Sequence, residues 1–272
     1  MECFYINVEA AAERRRVIEE NFHTYKVPGW FLSRTRAVDL NDLAGVAIRG
    51  RIREVEKACH MSHRNAVEES IGAPGHALIL EDDTAFGPRS CAAIERAVAS
   101  LPEDDWDLLF ADAMIGDPVL MTRLLMMRRE LEPLGRQVLL PLTEWPHAGA
   151  AAYIINQRFK ERLRALVNIA PLDLPYDILL REYVMRGEIR AFLVVPFPLM
   201  PGIQGDESQI QPVQGIETDI IWNGFRRLMA LDRDLGSARA LIARLPDDFI
   251  DDESAIFARV LGASLSNKRV MK

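Results

Sequence analysis

The sequence predicts an α/β fold, and three observations carry that expectation. Short apolar runs alternate with longer amphipathic stretches, the pattern of strands exchanging with helices. One run, His76-Ala77-Leu78-Ile79-Leu80, leads directly into Glu81-Asp82-Asp83, so a buried strand would end in an acidic turn. A hydrophobic share of 49% over 272 residues suffices for one large domain with a full core, with or without a small appendage.

Residues 3–8 read as a buried strand. Residues 10–22, rich in Glu and Arg, read as a helix, and residues 30–38 as a second strand. Residues 49–70 read as one long helix, ended by Gly72 and Pro74-Gly75. After the strand at 76–80 come a helix at 90–101 and a strand at 105–112. Two more strands follow at 137–142 and 150–156, then helices at 157–167 and 175–186, then a last strand at 189–197. Residues 202–214, rich in Gln, Gly and Pro, read as a loop or linker. Beyond it, 217–235, 237–245 and 252–261 read as helices, with Ile220, Ile221, Phe225, Leu228 and Met229 sharing one face. The expected division is an α/β domain over 1–214 and a helical appendage over 215–272.

Composition excludes several classes. The net charge is −7 with a pI of about 5.4, and no long Lys/Arg block is present, so no nucleic-acid partner is expected. Arg14-Arg15-Arg16 is too short to alter that. Three cysteines, with no CxxC pair, do not make a disulfide framework and point to a reducing compartment. A strand starting at residue 3 leaves no room for a signal peptide, and no apolar run approaches the ~20 residues of a transmembrane helix. The expectation is a cytoplasmic protein, with peripheral contact to the inner membrane left open.

Four groups of residues can carry chemistry. Ligands of open α/β sheets collect beyond the carboxyl ends of the strands, where Glu81, Asp82 and Asp83 would stand. Carboxylates there can hold a hard divalent cation against diphosphate oxygens; the plain alternative is a solvated turn. In the helix at 49–70, Ile52, Val55, Cys59 and Ala66 form an apolar face, and Glu56, Ser62 and His63 fall within or beside it. Polar groups aimed at a core must be satisfied or used, and a structural network is their plain alternative. His60 points further round and reads as a surface residue. Asn7 on the first strand and Arg14 on the first helix can reach a nucleotide base and its phosphates at the sheet edge, although helix arginines are usually solvated. Small residues from His147 to Tyr153 would let backbone approach a bulky ligand. Asp177 opens a predicted helix, as a cap, a dipole partner or a base for an acceptor hydroxyl. Val8-Glu9-Ala10-Ala11-Ala12-Glu13 holds no glycine, which argues against a nucleotidyltransferase-type phosphate loop.

In order along the chain, these pieces resemble glycosyltransferase family 25, which includes the bacterial lipooligosaccharide galactosyltransferases. The likeness rests on Phe4-Tyr5-Ile6-Asn7 with Glu13-Arg14-Arg15, on Val55-Glu56-Lys57-Ala58-Cys59-His60-Met61-Ser62-His63, and on Ala77 through Asp83. It continues through Gly149-Ala150-Ala151-Ala152-Tyr153-Ile154-Ile155, Pro175-Tyr176-Asp177 and a weak Ser208-Gln209-Ile210, covering about residues 1–210. Ala151 stands where a glycine is expected, and residues 215–272 match nothing in the pattern. The resemblance implies a GT-A type nucleotide-sugar-binding fold with a mostly parallel central sheet. It implies inverting transfer of a sugar, galactose first, from a UDP-sugar to a carbohydrate acceptor such as a lipopolysaccharide or lipooligosaccharide glycan. A divalent metal, manganese ahead of magnesium, would sit at Glu81 and Asp83. Asn7, Arg14, Ser62, Asp82 and Tyr153 would meet the donor. Glu56 and His63 would shape the catalytic centre, facing the same cavity as Asp83. Asp177 would be the base, with Asp112 and Asp173 in reserve. The C-terminal helices are expected to stand clear of the donor site. The alternative is a catalytically inactive member that binds nucleotide sugars or acts as a scaffold.

Overall fold

The computed structural model describes residues 1–206 and 216–266; Ser208-Gln209-Ile210 and most of the expected linker lie outside the described residues. The strands are β1 (Glu2–Asn7), β2 (Phe31–Arg36), β3 (Ala77–Glu81), β4 (Thr84–Ala85), β5 (Leu108–Phe110), β6 (Val138–Pro141), β7 (Ala152–Ile155), β8 (Ala191–Val195) and β9 (Met200–Pro201). The helices are α1 (Ala12–Tyr25), α2 (Glu54–Ile71), α3 (Ser90–Ala99), α4 (Pro118–Leu131), α5 (Lys160–Val167), α6 (Tyr176–Met185), α7 (Ile216–Met229), α8 (Leu235–Ile242) and α9 (Asp252–Ser266).

Seven strands form one sheet in the order β2-β1-β3-β7-β5-β8-β6, and β4 pairs with β9 in a separate ribbon. β1 is parallel to β2 and β3, and β5 to β8. β7 runs antiparallel to both β3 and β5, and β6 antiparallel to β8. The sheet is thus mostly parallel, as expected, with β6 and β7 reversed.

The period of two along each strand builds two cores, one on each face of the sheet. Phe4, Ile6, Ile79, Phe110, Tyr153 and Leu193 face one core, which α2, α4, α5, α6 and α7 cover through residues such as Val67, Leu124, Leu163, Leu180 and Phe225. Cys3, Tyr5, Leu78, Leu80, Leu109 and Val194 face the other, under Ile18 and Phe22 of α1 and Ile94 of α3. A sheet covered on both sides explains why its strands read as continuous apolar runs.

Three local differences from the expectation have physical causes. α2 begins at Glu54 rather than 49, because residues 49–52 pair with the backbone of Leu172 instead: Leu172 N donates to Arg49 O at 2.8 Å and Ile52 N to Leu172 O at 3.4 Å. α4 carries no expectation from the sequence, although its start is a cap signal: Asp117 accepts from Leu120 N at 2.8 Å and Pro118 takes the first helical position. The C-terminal helices are present, but α7 belongs to the main core. Phe225 and Met229 join the large cluster, and Phe197 N donates to Met229 O at 3.0 Å. α8 packs on α7 at Gly224, where a Cβ would meet Ile242 Cδ1 at 2.6 Å. α9 contains no buried residue. Among the described residues, no helix is long and apolar enough to cross a membrane.

Candidate active site

β3 delivers Glu81 at its last position, and Asp82 and Asp83 follow in the turn into β4. Asp82, 8% exposed, is held from two sides. Asn7 Nδ2 donates to its Oδ2 at 2.7 Å and Arg14 NH1 to its Oδ1 at 2.9 Å. Arg14 NH2 reaches Asp83 Oδ2 at 3.4 Å, and Arg34 Nε donates to Asn7 Oδ1 at 3.1 Å. Asn7 therefore orients Asp82 from beneath, being itself 1% exposed. Burial raises Asp82 above the ordinary aspartate value, against the pull of Arg14 and Asn7. Burial and then the charge of Glu81 push Asp83 up to about 7, with Arg14 and Arg226 opposing. Burial would raise Glu81 as well, but the His63 hydrogen bond and charge, followed by Arg226 and Arg14, outweigh it and leave this carboxyl below its usual value. Two carboxylates that repel each other in a half-buried turn form a donor set suited to a hard cation.

α2 lies over this turn. His63 Nε2 is 3.3 Å from Glu81 Oε1, and its Nδ1 is 3.4 Å from the hydroxyl of Tyr153. Tyr153 in turn shares a 2.8 Å hydrogen bond with Tyr176, whose ring stacks on His63 at 4.3 Å. Tyr153 has no exposed surface, so it stands under the floor of the site. Cys59, one turn before His63, completes a second possible ligand set: its sulfur, a His63 nitrogen and a Glu81 oxygen lie within 4.8 Å of one another. Burial raises the Cys59 thiol, and the charges of Glu81, Asp177 and Glu56 raise it further. Glu56 spends its carboxylate at the start of α2, accepting from Arg53 N at 2.8 Å and from Arg53 NH2 at 3.0 Å. Ser62 is also engaged locally, accepting from Val38 N at 2.8 Å and donating to Ala58 O at 2.7 Å. His60 is not a surface residue: it is 1% exposed, with Nε2 2.9 Å from Val167 O, because α5 and α6 pack against its side of α2.

The start of β7 lies between the acidic ends of β3 and β5. Glu81 N donates to Ala151 O at 2.8 Å, and Ala111 N to Ala152 O at 3.0 Å. Asp177, in the first turn of α6, accepts from Gly149 N at 2.8 Å, and Gly149 has φ +85°, a backbone that a side chain would strain. Beyond β5, Asp112 is 2% exposed and paired with Arg226 of α7 at 2.6 Å. Asp173 lies apart, 36% exposed and 3.4 Å from Arg51. A cavity of about 240 Å³ opens beside the triplet, lined by Asn21, Asp82, Asp83, Arg227 and Ser237 among others. It is below the roughly 300–1,000 Å³ of a whole small-molecule site, so it would take only part of a large ligand.

The structure thus gathers Asn7, Arg14, Glu81, Asp82, Asp83 and His63 directly, and brings Asp177 and Glu56 near Cys59. Sequence reasoning missed Arg34, Arg226 and the polar role of Cys59. The spacing Cys59-x-x-x-His63 was the available signal for the last; nothing in the sequence tied Arg226 to Asp112.

An acidic centre at the strand ends of an α/β sheet is the usual ligand-binding position of this fold class. The profile of glycosyltransferase family 25 (LPS biosynthesis protein) matches residues 1–180. That match covers most of the chain and every strand of the seven-stranded sheet except β8. The chain belongs to glycosyltransferase family 25. It is 30% identical over 186 residues to the lacto-N-neotetraose biosynthesis glycosyltransferase LgtE of Neisseria meningitidis serogroup B, covering 61% of this chain and 62% of that relative. Among solved structures, a glycosyltransferase involved in glycosylation of the major capsid of PBCV-1 aligns at TM-score 0.42 and 13% identity, over 71% of this chain and 79% of the other. A nucleoside-diphosphate-sugar pyrophosphorylase of Vibrio cholerae RC9 aligns at 0.33 and 10%, over 71% and 72%. Likenesses that loose leave the family assignment resting on sequence.

Proposed function

We propose that this glycosyltransferase moves a hexose, galactose first, from a UDP-sugar onto a lipopolysaccharide or lipooligosaccharide glycan, with inversion at the anomeric carbon. The observation that carries the reading is the acidic turn Glu81-Asp82-Asp83 at the end of β3, cross-braced by Asn7 and Arg14. The kinship with an enzyme of lacto-N-neotetraose biosynthesis supports the acceptor class. Buried charges at Asp82 and Asp112 are a standing cost to the fold, and a scaffold would have no use for them.

In this reading Glu81 and Asp83 hold the divalent cation, manganese ahead of magnesium. When bound, it supplies positive charge against the donor diphosphate. Arg14 adds a cation, and Asn7 and Asp82 form the adjoining polar wall for the nucleoside. Asp177 takes the proton of the acceptor hydroxyl as that oxygen bonds to the anomeric carbon. The bond from that carbon to the diphosphate breaks, and its electron pair leaves with UDP. His63 fixes Glu81 from α2, itself aligned by Tyr153 and Tyr176. A softer ion on Cys59, His63 and Glu81 is the second reading for the metal, favoured by the proximity of those three ligand atoms.

The test is UDP release from a panel of UDP-sugars with a lipooligosaccharide acceptor, in Mn²⁺, Mg²⁺, Zn²⁺ or chelator, with the product anomer read by NMR. Turnover with no UDP-sugar would remove the donor assignment. Activity undiminished by chelator would remove the metal, and activation by Zn²⁺ but not Mn²⁺ would favour the thiolate set.

A further inference from the structure

Arg226 lies beyond the segment matched by the family profile, yet it enters the acidic centre. Its Nε and NH2 donate to Asp112 Oδ2 at 2.9 and 2.6 Å, and its NH1 to Asn223 Oδ1 at 2.8 Å. Arg226 is 7% exposed and Asp112 2%. A guanidinium has five N–H donors, and among the described residues three are used here. Two N–H groups are left for another acceptor.

The position of the pair says which acceptor. Asp112 follows β5 and Glu81 ends β3, and only the first residues of β7 separate them. Ala150 and Ala151 lead into β7 at Ala152, and their small side chains allow the backbone of that strand to pass closely between the two acidic ends. The charge of Arg226 is felt by both Glu81 and Asp83. α7 also braces the same turn through the backbone. Asn223 Nδ2 donates to Gly205 O at 3.0 Å, Arg227 NH2 to Gly202 O at 3.0 Å, and Gly202 N to Asp83 O at 2.6 Å. Stability is a weak account of this arrangement, since buried ion pairs are often matched or bettered by apolar residues of the same volume.

We propose that Arg226 is a diphosphate-binding residue of the transferase site, contributed by the C-terminal helix and pre-oriented by Asp112. The proposal rests on the nucleotide-sugar reading above and adds to it. As the bond between the anomeric carbon and the diphosphate oxygen breaks, the electron pair stays on the diphosphate, and Arg226 meets the growing negative charge with charge-assisted hydrogen bonds. No proton is transferred to or from the guanidinium.

The experiment titrates full-length protein with UDP and with uridine, in Mn²⁺, by calorimetry. Removing Arg226 alone would strand the Asp112 charge, so the main variant is the double substitution Asp112→Asn with Arg226→Gln, which keeps a neutral hydrogen-bonded pair. The expected result is a folded variant whose UDP affinity falls about tenfold or more while uridine affinity stays within about twofold. Unchanged UDP affinity, or an equal loss for both ligands, would mark a purely structural pair and overturn the inference. Should the double variant fail to fold, Arg226→Lys carries the same test: it keeps the charge but loses the fork, and wild-type UDP affinity would overturn the inference. If wild-type protein itself binds UDP no better than uridine, the donor reading falls first and takes this inference with it.

Discussion

At the scale of single residues, the two central carboxylates are expected to behave differently. Asp83→Ala should abolish transfer and weaken metal-dependent UDP-sugar binding, because its contacts exist already in the donor complex. Asp177→Asn should keep donor binding while turnover falls roughly 10²–10⁴-fold, since a base matters only on the way to the transition state. Calorimetry beside UDP release separates the two; full turnover in Asp177→Asn would pass the base role elsewhere. Asp83 also makes a pH prediction. Its carboxyl titrates near 7 in the folded protein against 3.8 ordinarily, so the folded state holds a proton that the unfolded chain gives up between those values. Metal-free protein should therefore lose stability as pH rises from about 4 to about 7. Asp83→Asn removes that loss: in chelator it should be more stable than wild type by on the order of 4 kcal/mol at pH 8 and equal to it below pH 4. Added Mn²⁺ at pH 8 should stabilise wild type and not the variant. Denaturant curves at several pH values check this, and a variant less stable at pH 8 would contradict the environment assigned to Asp83.

At the scale of elements, α2 is where sequence and structure diverge most usefully. Its apolar face was legible from the 100° periodicity, and His63 indeed turns toward Glu81. His60 was not legible as buried, because nothing local announces that α5 and α6 will cover a second face of the helix. Ser62 carries a prediction at this scale. Its hydroxyl ties α2 to the chain leaving β2 through Val38 N, so Ser62→Ala should cost about 1 kcal/mol in denaturant unfolding and leave UDP-sugar turnover near wild type. A folded Ser62→Ala protein with unchanged stability and lost donor binding would instead put Ser62 at the ligand.

At the scale of the molecule, the C-terminal helices are unequal. α7 supplies Phe225 and Met229 to the core and Arg226 to the acidic centre, whereas α9 buries nothing. Truncation after Gln214 should therefore give an insoluble or partly folded chain, since two large side chains leave the core, at about 2–5 kcal/mol each, and Asp112 loses its partner. Truncation after Ile250 should stay folded and cooperative. Circular dichroism with size-exclusion chromatography compares the two, and a well-folded product ending at Gln214 would restore the picture of a detachable appendage.

The sequence alone determined the alternation of strands and helices, the apolar character of the central strands, and the acidic turn at the end of β3. All three are written in local period and composition, which fix secondary structure and burial before any distant contact forms. The order of residues along the family pattern extended that to a transferase class. Only the tertiary structure decided which charges meet. Asn7 and Asp82 lie 75 positions apart, and Arg226 and Asp112 lie 114 apart. Such pairs depend on strand order and on which helix closes over the sheet, and no short-range signal encodes either. That is why the acidic motif could be read from the chain, while the pairing of Arg226 with Asp112 could be found only in the fold.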